Sequence, residues 1–76
     1  MTGYKVAKRV NAELRTRGLK EIPPQMVYQY IAKGYIPSHV VNGQSLVTEP
    51  EADAWIQGYV NRRVEREAER AAAIAS

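Results

Sequence analysis

The chain has 76 residues, 45% of them hydrophobic, with no cysteine and a formal net charge of +3. That length allows one domain and a small core, the apolar share argues against a wholly disordered chain, and the missing cysteines exclude disulfides and thiolate metal sites. No apolar run approaches the roughly 20 residues that cross a bilayer, and residues 1–20 show cations without a continuous apolar stretch, so neither a membrane span nor a signal peptide is expected and the cytoplasm is the simplest location.

The charge is unevenly placed. Residues 1–24 carry six cations (Lys5, Lys8, Arg9, Arg15, Arg17 and Lys20) against Glu13 and Glu21. Residues 25–47 add only Lys33, and residues 48–76 carry four arginines against six carboxylates. The first two thirds therefore make the positive field that a phosphate backbone would meet.

Val6, Val10 and Leu14 recur at helical spacing beside Ala7, with Thr2 placed to cap and Gly18 placed to stop, so a first helix is predicted from about Gly3 to Arg17. Leu19 to Ile22 is a short connector whose apolar residues tuck under the core. Pro23 and Pro24 suit the first turn of a helix. The second helix runs from about Pro24 to Lys33, with Val27, Tyr30 and Ile31 inward and Gly34 as its stop. Two such helices joined by a short turn form a helix-turn-helix.

From His39 to Val47, apolar residues flank Asn42-Gly43, a pair that accepts the positive φ of a tight hairpin turn, so a small β-wing is predicted. Thr48 with Glu51 three residues on is a capping box, and Pro50 lies in the first turn that follows. Ala52, Trp55, Ile56 and Tyr59 then form the inner face of a third helix, with Trp55 expected at the centre of the core. From Asn61 to Ser76 charges alternate and alanine dominates; pairs Arg63–Glu67 and Arg66–Glu69 are expected, and Val64, Ala68 and Ala71 make a thin apolar seam. A helix from Glu49 to Ala73 would be roughly 37 Å long, against a globular part about 25 Å across. The fold class is thus α+β, a small winged helix-turn-helix of three helices and a two-stranded β-wing with an extended last helix: residues 1–60 form the domain and residues 61–76 a charged helical extension that projects or packs on another chain.

The second helix is the candidate recognition element. Away from its core side stand Gln25, Tyr28, Gln29 and Lys33. Glutamine can pair with adenine in the major groove, lysine with guanine or phosphate, and a tyrosine hydroxyl with phosphate; an ordinary solvated face has the same periodicity. The 25 residues from Pro23 to Val47 contain no carboxylate, which favours the DNA reading. His39, Asn42, Gly43 and Gln44 are the candidate wing contacts, taken to lie near the wing tip, which carries amides and no arginine. Lys5, Lys8 and Arg9 are candidates for the DNA backbone. No enzyme site, cofactor site or metal site emerges: His39 is the only histidine, no glycine-rich phosphate loop is present, and Glu49, Glu51 and Asp53 sit where a helix dipole favours carboxylates.

The run from Pro23 to Tyr59 resembles the phage excisionase and MerR-like winged helix-turn-helix domains. The resemblance lies in Val27-Tyr28-Gln29-Tyr30-Ile31, the exit Gly34-Tyr35-Ile36-Pro37, the Asn42-Gly43 wing, Val47-Thr48, Glu51-Ala52 and the pair Trp55-Ile56. It departs where the double proline replaces a Ser or Thr cap and where Gln44 stands in place of a wing arginine. The resemblance implies a non-enzymatic recombination directionality factor of a bacteriophage, which binds and bends attachment-site DNA to direct an integrase in the bacterial cytoplasm. A small MerR-like transcriptional regulator or repressor would use the same surface. A protein–protein adaptor would instead act through the last helix, and residues 61–76 are the expected place for self-association or an integrase contact.

Overall fold

In the computed structural model, which describes residues 1–75, the chain forms α1 (Gly3–Thr16), α2 (Pro24–Ala32), β1 (His39–Val41), β2 (Gln44–Leu46) and α3 (Glu49–Ala75). This is an α+β arrangement of three helices and one two-stranded antiparallel sheet. Among the described residues no helix is long and apolar enough to cross a membrane.

Local chemistry sets the boundaries. Thr2 accepts the Lys5 N–H at 3.3 Å and opens α1. Both α1 and α2 end in the same way, on a glycine at positive φ, 71° at Gly18 and 81° at Gly34. Each glycine N–H donates three residues back, to Arg15 at 3.0 Å and to Ile31 at 3.1 Å. The next N–H donates five residues back, from Leu19 to Leu14 at 2.8 Å and from Tyr35 to Tyr30 at 2.9 Å. This Schellman pattern satisfies carbonyls that the helix leaves open and brings an apolar residue past the stop onto the last turn. Asn42 and Gly43 take φ of 51° and 78°, as a two-residue type I′ turn requires, and set the register His39↔Leu46, Val40↔Ser45, Val41↔Gln44. The capping box at α3 is complete: Glu51 Oε1 accepts the Thr48 N–H at 3.1 Å and its hydroxyl at 2.8 Å, while Thr48 Oγ1 accepts the Glu51 N–H at 3.4 Å.

The core is small and aliphatic. Val6, Val10 and Leu14 of α1 meet Val27 of α2, Ile36 and Val47 from the loops, and Ala52, Ile56 and Val60 of α3. Asn11 pins the connector to α1 by two reciprocal bonds: its Nδ2 donates to the Ile22 carbonyl and its Oδ1 accepts the Ile22 N–H, each at 2.8 Å. That pair fixes where α2 starts. The hairpin contributes almost nothing to the core, since only Leu46 of its strands is half-buried. It is held by its ends: the Val47 N–H donates to the Met1 carbonyl at 2.8 Å, and the Met1 amino nitrogen donates to the Val47 carbonyl.

Three expectations are corrected here. Trp55 is not the core centre but half-buried on its flank, stacked on Tyr59 at 5.1 Å and tilted against Tyr30 at 5.8 Å. An indole is too large for a core whose fully buried side chains are mostly valines. Arg63–Glu67 and Arg66–Glu69 do not pair: Arg63 donates to the Tyr59 hydroxyl at 3.1 Å, and Glu67 lies 4.0 Å from Arg70. The last buried residue is Val60; from Asn61 onward α3 runs on as one continuous helix. At 1.5 Å per residue its 27 residues span about 40 Å, which accounts for molecular extents of 53 × 21 × 21 Å. Ser76, the end of the expected extension, lies outside the described residues.

Candidate nucleic-acid interface

On α2, Val27 is fully buried, and Gln25 and Gln29 sit about 160° to either side of it at 100° per residue, so both face outward. Both are exposed, as are Ala32 beside them and Lys33, which caps the helix C-terminus. Pro23 at the N-cap offers no side-chain acceptor to the first turn. The positive pole of α2 is therefore left open, an end that favours anions.

Tyr28 has a double role. Its ring lies across the start of α1, where a Cβ added to Gly3 would fall 2.6 Å from Tyr28 Cε1, so only glycine allows this approach. Its other face remains half exposed and lines a shallow groove. Thr2 to Tyr4 form one wall of that groove, Tyr28 and Ala32 the floor, and Gly43 to Ser45 of the hairpin the opposite wall. The hairpin turn therefore stands beside the C-terminal half of α2, and Asn42, Gly43 and Gln44 are all exposed there. Thr2 and Tyr4 were not among the sequence candidates. Their place in the wall depends on how α1 crosses α2, which no local pattern encodes.

The other candidates divide. Lys8 holds its ammonium 5.4 Å from the centre of the Tyr4 ring, at the margin of the groove, and Lys5 is exposed on α1. Arg9 points the other way and is paired with Asp53 of α3. His39 is at the base of the hairpin, not its tip, because it pairs with Leu46 at the open end of the ladder. Its Nε2 lies 3.0 and 3.1 Å from the two carboxylate oxygens of Glu51. His39 thus ties the hairpin to the capping box of α3. The Thr48 hydroxyl, then the Thr48 N–H and, less strongly, His39 hold the Glu51 carboxyl below its ordinary value of 4.5. The structure thus brings Tyr28, Gly43 and Gln44 together beside the amide face of α2 and separates Arg9 and His39 from them. Among the described residues, no group of three or more His, Asp or Glu side chains converges as a metal site would need.

Comparison with family models, with curated proteins and with solved structures gave no match.

Proposed function

We propose that this protein is a non-enzymatic, sequence-specific binder of duplex DNA, working as a winged helix-turn-helix with α2 as recognition helix and the hairpin as wing. The observation that carries the reading is the outward face of α2: two glutamines opposite the buried Val27, a hairpin turn standing alongside, and no carboxylate in the 25 residues from Pro23 to Val47. Amide side chains on an exposed helix can make paired hydrogen bonds to adenine in a major groove about 12 Å wide. Tyr28 and Lys33 flank them, and Lys5 and Lys8 add a positive margin.

Within that class the resemblance of Pro23–Tyr59 to excisionases makes an architectural role in phage excision the leading reading, with a small transcriptional regulator as the alternative. Integrase-dependent excision with and without the protein separates them: a change in promoter output with unchanged excision selects the regulator. The projecting half of α3 supports one further reading, an adaptor that works through that helix. A chain truncated after Arg63 should keep part of its duplex affinity if α2 is the reader.

The direct test is Gln29→Ala. Substitution should reduce discrimination between a preferred and a random duplex by about 1–3 kcal/mol, the size of a lost bidentate base contact. Equal weakening on both duplexes would place Gln29 on phosphate alone.

A further inference from the structure

A second groove runs along the flank of α2 that faces away from the hairpin turn. Pro23 at the N-cap of α2 and Met26 within it form one side, Lys20 and Glu21 of the connector close one end, and Arg62, Arg63 and Arg66 of α3 form the far rim. Its floor is the ring cluster of Tyr30, Tyr35, Trp55 and Tyr59, which reaches past the C-terminal stop of α2. The charge of this rim is one-sided. Glu21 is its only carboxylate and lies 3.4 Å from Arg15. Arg63 is oriented by its bond to the Tyr59 hydroxyl and by the ring beneath its guanidinium at 5.9 Å. Arg62 and Arg66 are exposed, and among the described residues neither meets a carboxylate, although Glu65, Glu67 and Glu69 stand on the same helix.

From this arrangement we infer that the duplex footprint continues past α2 onto α3, where Arg62 and Arg66, with Lys20, hold a phosphate strand. The inference rests on the DNA-binding reading above and extends it to residues outside the helix-turn-helix. Placement and spacing support it. The hairpin turn flanks α2 on one side, beside Tyr28 and Ala32, and the arginine rim borders the groove on its other side, beside Met26 and Tyr30. Arg62 and Arg66 are one turn apart, about 6 Å along α3, and a strand presents a charge every 3.4 Å or so along its axis. The open N-terminal pole of α2 lies on the same side as Pro23 and adds to the field. Of the three α1 cations expected at the DNA backbone, Arg9 is engaged by Asp53, while Lys5 and Lys8 stay exposed. An acidic protein segment is the competing occupant. The duplex is favoured because the rim borders the same helix that carries the outward glutamines.

The test is Arg62→Gln with Arg66→Gln, measured as affinity for a random-sequence duplex over a series of salt concentrations. Each lost phosphate contact should lower the slope of log affinity against log salt by roughly 0.9, so the pair should lower it by about 1.8. The loss should be equal on a preferred duplex, and Arg62→Lys with Arg66→Lys should restore the slope. Both positions are exposed, so the thermal midpoint should stay in place. An unchanged slope in a variant that still binds duplex overturns the inference, leaves the role of α2 intact and turns the rim toward an acidic protein partner. Failure of the native chain to bind duplex at low salt overturns both.

Discussion

The two halves of α3 are held by different forces. From Glu49 to Val60 the helix has a complete capping box, buries Ala52, Ile56 and Val60, and stacks Trp55 on Tyr59 with both rings tilted against Tyr30. From Asn61 to Ala75 it buries nothing, and only Arg63 and Glu67 are half-covered. The first half is a helix because tertiary packing makes it one. The second has alanines, arginines and glutamates of high helix propensity, one ion pair at 4.0 Å, and a folded helix to extend. Nucleation is the costly step for a helix, so a half that begins on a packed helix needs only to propagate. Contacts divide along the same line: the packed half meets α2 through Tyr30 and the base of the hairpin through Glu51, and the projecting half carries charge away from the core.

Four experiments would break or sharpen this contrast. The largest effect should come from Ile56→Ala, which empties a buried site in the packed half; a loss of about 2–5 kcal/mol is expected in denaturant unfolding. A cost under about 1 kcal/mol would show that α3 is loosely packed on α1. Next is Asn11→Ala, which removes both partners of the Ile22 main chain and should cost about 1–3 kcal/mol. Since Ile22 leads into α2, this variant should also weaken duplex binding, whereas a purely local role would leave binding in place.

Third is the pH dependence of the capping box. Glu51 has its folded carboxyl below the ordinary value near 4.5, chiefly through Thr48, so its contribution is present above that value and is lost as pH falls through the lowered one. Unfolding midpoints taken from pH 6 down toward pH 3, as a rough window around that carboxylate range, should fall more steeply for the native chain than for Glu51→Gln. Parallel curves would remove the capping box from the account. The smallest effect belongs to Ala68→Gly in the projecting half. It should lower helical signal by the local propensity of about 1 kcal/mol while leaving the main unfolding transition where it was. A shifted transition would mean that the tail is covered by something the isolated chain supplies, such as a second copy.

The starts of α1 and α3, the stops of α1 and α2 and the hairpin turn were legible in the sequence, because each depends on contacts within five residues. Gly18 and Gly34 relieve the positive φ that ends α1 and α2. Asn42-Gly43 suits the turn, and Thr48 reaches only to Glu51. The outward amides of α2 were legible for the same reason: burial of Val27 settles which way Gln25 and Gln29 point. Residues that meet partners far along the chain were not. Arg9 looked like one more cation until Asp53, 44 positions later, took it. His39 looked like a wing-tip residue until the register put it at the base against Glu51. Trp55 looked central because it is the largest apolar residue, yet a core of valines had no room for it. Arg66 was expected to pair with Glu69, yet the path of α3 sets it with Arg62 on the rim of the groove that Met26 and Tyr30 line. Periodicity and turn chemistry act over a few bonds, so the sequence alone determines them. Which side chains meet across 40 residues depends on how three helices cross around a small core, and only the tertiary structure decides that.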